Sequence, residues 1–150
     1  MSDPFKTCGG RPAYGDSMSA QFYFTGMVVA DMAASLAFYR RLGLDIPPEA
    51  DREPHVDVNV GDGLLLVWDT VDVIRSFDPG WAPPTGGPGT ALAFRCDSPA
   101  EVDRLYTELT GAGYHGQRQP WDAFWGQRYA TVHDPDGNAV DLLATLPSGG

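Results

Sequence analysis

A repeat constrains this chain more than any other feature of its sequence. Twice, a strand-like run leads into an aspartate and then into a segment with helical spacing of apolar residues. In the first copy, residues 21–30 (QFYFTGMVVA) are rich in aromatic and β-branched residues, and Asp31 stands as a helix N-cap. Met32, Leu36, Tyr39 and Leu42 follow at helical spacing until Gly43 closes the segment. In the second copy, residues 90–96 form the strand and Asp97 stands where Asp31 stood. Ser98-Pro99-Ala100-Glu101 is a capping box with proline at the first helical position, and Val102, Leu105 and Leu109 carry the apolar stripe to Gly111.

Strands are expected after each helix. Beyond Pro47-Pro48, residues 55–60 alternate, with Val56, Val58 and Val60 on one face and His55, Asp57 and Asn59 on the other. Gly61-Asp62-Gly63 then turns the chain into residues 64–68, giving a hairpin. In the second half, residues 114–119 are expected to form one strand, and residues 127–133 and 139–143 two more. The last two are joined by Asp134-Pro135-Asp136-Gly137-Asn138, where Pro135 fixes φ and Gly137 tolerates a positive φ. The expected fold is α+β: two βαβββ modules, helices on one side of curved sheets, and polar strand faces lining a concave surface. Residues 21–146 then make one domain, with modules at 21–70 and 90–146 and a connector at 71–89 that holds Trp81 and the run APPTGGPG. Residues 1–20 read as a mobile leader and residues 147–150 as a tail.

The charge balance narrows the partners. A net charge of −10 argues against nucleic-acid binding, which needs a basic surface to neutralise phosphates. No apolar run approaches a membrane span. Cys8 and Cys96 form neither a metal pattern nor a disulfide pattern, so free thiols and a cytoplasmic location are expected. Trp121, Phe124 and Trp125 crowd a stretch expected to be a loop, where they are either a lid on the core or a flat binding surface.

Three stretches together, MVVADMAASLAFYRRLGLDIP, LAFRCDSPAEVDRLYTELTGAGY and HDPDGNAVDLL, resemble the glyoxalase/bleomycin-resistance/dioxygenase (vicinal oxygen chelate) superfamily. The resemblance implies paired βαβββ modules, commonly in a homodimer whose cavities draw on both chains; a swap of modules between chains stays open. Metal-dependent members place His, Gln or Glu early in the first strand of each module and carboxylates near the last strands. Here those early positions hold Phe24 and Thr90, the last strand of the first module ends in Leu66, Val67 and Trp68, and only Asp141 is ligand-like. His55, His115 and His133 lie elsewhere. A binding protein with neither metal nor cofactor is therefore expected. The alternatives are a metal-dependent lyase or dioxygenase of the same fold, and a binder of a cationic drug of the bleomycin kind.

The stretches EADREPHVDV, WDTV, SFDPGWAPPTGG and PWDAFWGQRYA are similar to drug-resistance members of that superfamily that bind quinone antibiotics of the mitomycin kind. The similarity implies a planar ligand held between a histidine and a tryptophan, at His55 and Trp125. Asp57, Asn59 and Arg128 could orient such a ligand through hydrogen bonds, Arg128 being equally suited to a surface ion pair. Trp68 alternates with Leu64 and Leu66 and is either core or cavity floor. Trp81 and Trp121 could form a rim contributed by a partner chain, with Tyr129 beside them. The resulting expectation is a cytoplasmic, dimeric protein that sequesters a planar aromatic antibiotic without chemistry.

Overall fold

A computed structural model describes residues 20–87 and 89–148. Most of the expected leader, Cys8 included, and the last two residues of the tail lie outside them. The first half runs β1 (Phe24–Val29), α1 (Met32–Arg41), a 3-10 turn (Pro48–Arg52), β2 (His55–Gly61) and β3 (Leu64–Thr70). A short helix, α2 (Val71–Phe77), leads into the connector. The second half runs β4 (Ala91–Arg95), α3 (Pro99–Gly111), β5 (Gly116–Ala123), β6 (Gln127–His133) and β7 (Ala139–Thr145).

The two longer helices, α1 and α3, begin as their sequences dictate. Asp31 Oδ1 accepts the amide of Ala34 at 3.0 Å, and Ser98 Oγ accepts that of Glu101 at 3.3 Å. Glu101 turns its own carboxylate to Arg104 instead of closing the box on Ser98.

The repeat is genuine but incomplete. The first sheet has order β1-β3-β2 and the second β4-β7-β6-β5, each with one parallel pair, β1 with β3 and β4 with β7. The second half is the expected βαβββ module; the first has no strand equivalent to β5. In that place stands the 3-10 turn, gripped by Arg40, which donates to the carbonyls of Ile46 (2.9 Å) and Pro47 (2.8 Å) and pairs with Asp51 (2.9 Å). Pro47 and Pro48 have no N–H for a ladder, which disfavours the missing strand. The connector also departs from expectation. Thr70 Oγ1 caps α2 by accepting the amide of Val73, so this segment opens as a helix.

One core joins the halves. Val29, Leu36, Phe38, Tyr39 and Trp68 from the first half pack with Val102, Leu109, Val132, Val140 and Leu142 from the second. Phe38 meets Tyr114 edge-to-face at 4.9 Å, and Tyr39 meets Trp68 at 5.4 Å. The turn between β6 and β7 latches the halves together. Buried Asp134 accepts the Tyr39 hydroxyl at 2.8 Å and the amides of Asp136 and Asn138 at 2.9 Å. Asp136 in turn accepts the amide of Ala30 at 3.0 Å. Gly137, at φ +85°, permits the turn.

Candidate functional site

Strand alternation leaves each sheet with a face turned away from the core. On the first sheet, Val56, Leu66 and Trp68 point into the core, which sends His55, Asp57, Leu65, Val67 and Asp69 the other way. On the second sheet, Ala130, Val132, Val140 and Leu142 point into the core, so Tyr129, Thr131, Asp141 and Leu143 occupy the free face.

The two faces are chemically different. The first centres on His55, whose Nδ1 meets Asp69 Oδ1 at 2.5 Å while Nε2 lies 3.6 Å from Asp57 Oδ2. The hydrogen bond to Asp69 is the main cause of a raised His55 pKa; desolvation opposes it, and the Asp69 and Asp57 charges and the Asp57 hydrogen bond add to it. Both ring nitrogens face carboxylates, so the imidazole offers a ligand its ring face rather than its edge. The linkage sign follows: with the folded pKa raised, the ion pair adds stability fully below the unfolded histidine pKa and loses it as pH rises through the folded value. Half-exposure of the ring keeps that contribution small. Replacing Asp69 by Asn is expected to lower the His55 pKa in an NMR titration of its Cε1 proton. An unchanged midpoint would mean that Asp69 does not hold the ring.

The second face carries the aromatic cluster. Trp125 lies edge-to-face with Trp121 (5.5 Å), Phe124 (5.0 Å) and Tyr129 (5.4 Å). Its indole N–H donates to Gln127 Oε1 at 2.9 Å, and the side chain stays 48% exposed. The Tyr129 hydroxyl donates to Asp141 Oδ2 at 2.6 Å, and Thr131 donates to Asp141 Oδ1 at 3.0 Å. Burial, with Asp141 beside it, pushes the Tyr129 pKa up to about 12, so the phenol keeps its proton.

The other expected site residues divide. Trp121 belongs to β5 rather than to a loop, because the edge strand continues through Pro120 across an irregular register. Trp68 is core: it is 0% exposed and its N–H donates to Ser35 Oγ at 3.2 Å, so no ligand reaches it. Arg128 lies on the helix side of β6, held by Asp103 (2.9 Å) on α3 and Asp122 (3.0 Å) on β5, and leaves no free guanidinium edge for a ligand. Asn59 spends its side-chain oxygen on the amide of Gly61 at 2.9 Å, where β2 bulges. Trp81 sits in the connector beneath Arg75, whose guanidinium lies 5.9 Å from the ring centroid. His55 lies on β2 of the first sheet and Trp125 in the turn between β5 and β6 of the second, and among the described residues their rings do not touch. Reading the sequence missed Asp69, just past the end of the strand expected at 64–68, and Gln127.

A metal centre does not fit these residues. Asp141 is already held by two hydroxyls, and its neighbour on β4 is Ala93. Among the described residues no three His, Cys, Asp or Glu side chains are arranged to hold an ion. No helix among them is long and apolar enough to cross a membrane.

Paired strand–helix–strand units with open sheet faces define a class, and the comparisons name it. Residues 21–142 match the glyoxalase/bleomycin resistance protein/dioxygenase superfamily, and the chain belongs to that superfamily. Among solved structures, a glyoxalase/bleomycin resistance protein/dioxygenase from Nocardioides is 26% identical at TM-score 0.66, covering 89% of each chain. A glyoxalase-related enzyme from Fulvimarina pelagi is 25% identical at TM-score 0.69, covering 83% of this chain and 88% of its own. A family enzyme from Burkholderia phytofirmans shares the fold at 18% identity and TM-score 0.70, covering 83% and 98%. No curated protein matches the chain.

Proposed function

We propose that this protein is a binding protein that sequesters a planar aromatic or quinone antibiotic of the mitomycin kind, without metal or covalent chemistry. The observation that carries the reading is the half-exposed Trp125, set edge-to-face with Trp121, Phe124 and Tyr129 and held by its N–H to Gln127. An aromatic face fixed in advance costs little entropy when a flat ligand stacks on it. Stacking adds about 1 kcal/mol beyond the area buried. The carboxylates at both nitrogens of His55 fix a second flat wall. Because His55 and Trp125 do not meet within one chain among the described residues, the slot forms between two copies, His55 of one facing Trp125 of the other. Phe24, Val60 and Leu64, exposed at one end of the first sheet, suit such an association.

Calorimetric titration with mitomycin C tests the reading. Saturable binding that is nearly insensitive to salt is expected, with one site per chain in a protein that sediments as a dimer. Absence of saturable heat would overturn the ligand, and steep weakening with salt would point to a charge-driven ligand instead.

A further inference from the structure

The second sheet's free face holds a charge that the aromatic reading does not use. Arg118 on β5 lies with its Cζ 4.1 Å from the Trp121 ring centroid, and the side chain is exposed. Among the described residues it makes no ion pair, although the chain carries 20 acidic residues against 10 basic ones.

The register explains why it stays free. Arg118 is opposite Thr131, and Thr131 is opposite Asp141, so arginine and aspartate stand two strands apart in one row. That is roughly 10 Å between backbones. Asp141 is occupied by the Tyr129 and Thr131 hydroxyls. Asp122, next along β5 after Trp121, projects to the opposite face and pairs with Arg128. Arg95 on β4 closes the neighbouring row, Trp121–Tyr129–Leu143–Arg95, and likewise makes no ion pair among the described residues. The aromatic floor therefore lies between two cations on the outer strands.

We infer that Arg118 determines specificity at this site, selecting flat aromatic ligands whose rim carries a negatively charged oxygen. The inference rests on the reading of this face as a flat-ligand site and adds the ligand's charge. Stacking on Trp121 orients the planar guanidinium while its N–H groups stay available along the ring edge, a geometry that suits two parallel hydrogen bonds to a carboxylate. A quinone carbonyl satisfies the arginine in part; an aromatic carboxylate or phenolate does so fully. The net charge of −10 repels such a ligand only at long range, and salt screens that repulsion beyond about 10 Å.

The test compares anthraquinone-2-carboxylate with its neutral carboxamide, read by calorimetry on the wild-type protein, Arg118→Gln and Arg118→Lys. The wild type is expected to bind the acid about tenfold more tightly than the amide, consistent with a charge-assisted hydrogen bond. Arg118→Gln should abolish that preference by weakening the acid more than the amide, and Arg118→Lys should restore it only in part. Equal affinity for acid and amide in the wild type, or a preference that survives Arg118→Gln, overturns the role of Arg118 and leaves the flat-ligand site standing. Failure of both probes to bind overturns the two readings together.

Discussion

Trp68→Ala is expected to lower the stability of the fold by about 4 kcal/mol, the scale for truncating a buried tryptophan. The side chain is 0% exposed, stacks edge-to-face on Tyr39 and donates to Ser35, so truncation leaves a cavity between α1 and β3 and a buried hydroxyl without its donor. For a domain of this size the melting temperature should fall by roughly 8–16 °C. Trp68→Phe, which keeps most of the volume, should cost much less. A Trp68→Ala protein that melts with the wild type would return this residue to the cavity floor.

Trp125→Ala should do the reverse. Its ring is half exposed and outside the core, so melting should change little, whereas ligand affinity should fall. Losing the stacking and the apolar contact of one wall amounts to about 2 kcal/mol, or roughly thirtyfold in Kd. Substitution of Phe124, which is 92% exposed at the tip of the same turn, should matter less to the folded chain than either. Two tryptophans, one structural and one facing solvent, thus make opposite predictions from the same truncation.

Local chemistry made most of the fold legible. Asp31 and Ser98 announce their helices, and Pro135 with Gly137 announces the turn that latches the halves. The repeat led to the wrong count in the first half, because two prolines turn its would-be outer strand into a 3-10 turn. The site was harder to read. Counting back from the Gly61–Leu64 pair sets His55 opposite Thr70, but the bulge between Asn59 and Gly61 moves it to Asp69. A one-residue shift of that kind leaves no mark in hydropathy. Arg128 and Tyr129 were grouped as site residues although neighbours on a strand face opposite ways; only Tyr129 lies on the free face, and Arg128 ties α3 to the sheet. Trp68 alternates like a cavity-floor residue, and only its contacts with Tyr39 and Ser35 assign it to the core.

The central claim is that Trp125 forms a wall of the ligand site, and tryptophan fluorescence tests it most directly. Mitomycin C is titrated into the wild-type protein and into Trp125→Ala under identical conditions. Saturable quenching in the wild type that is largely lost in the variant, while both melt alike, is the predicted result. Quenching that never saturates and is the same in both proteins would contradict the account.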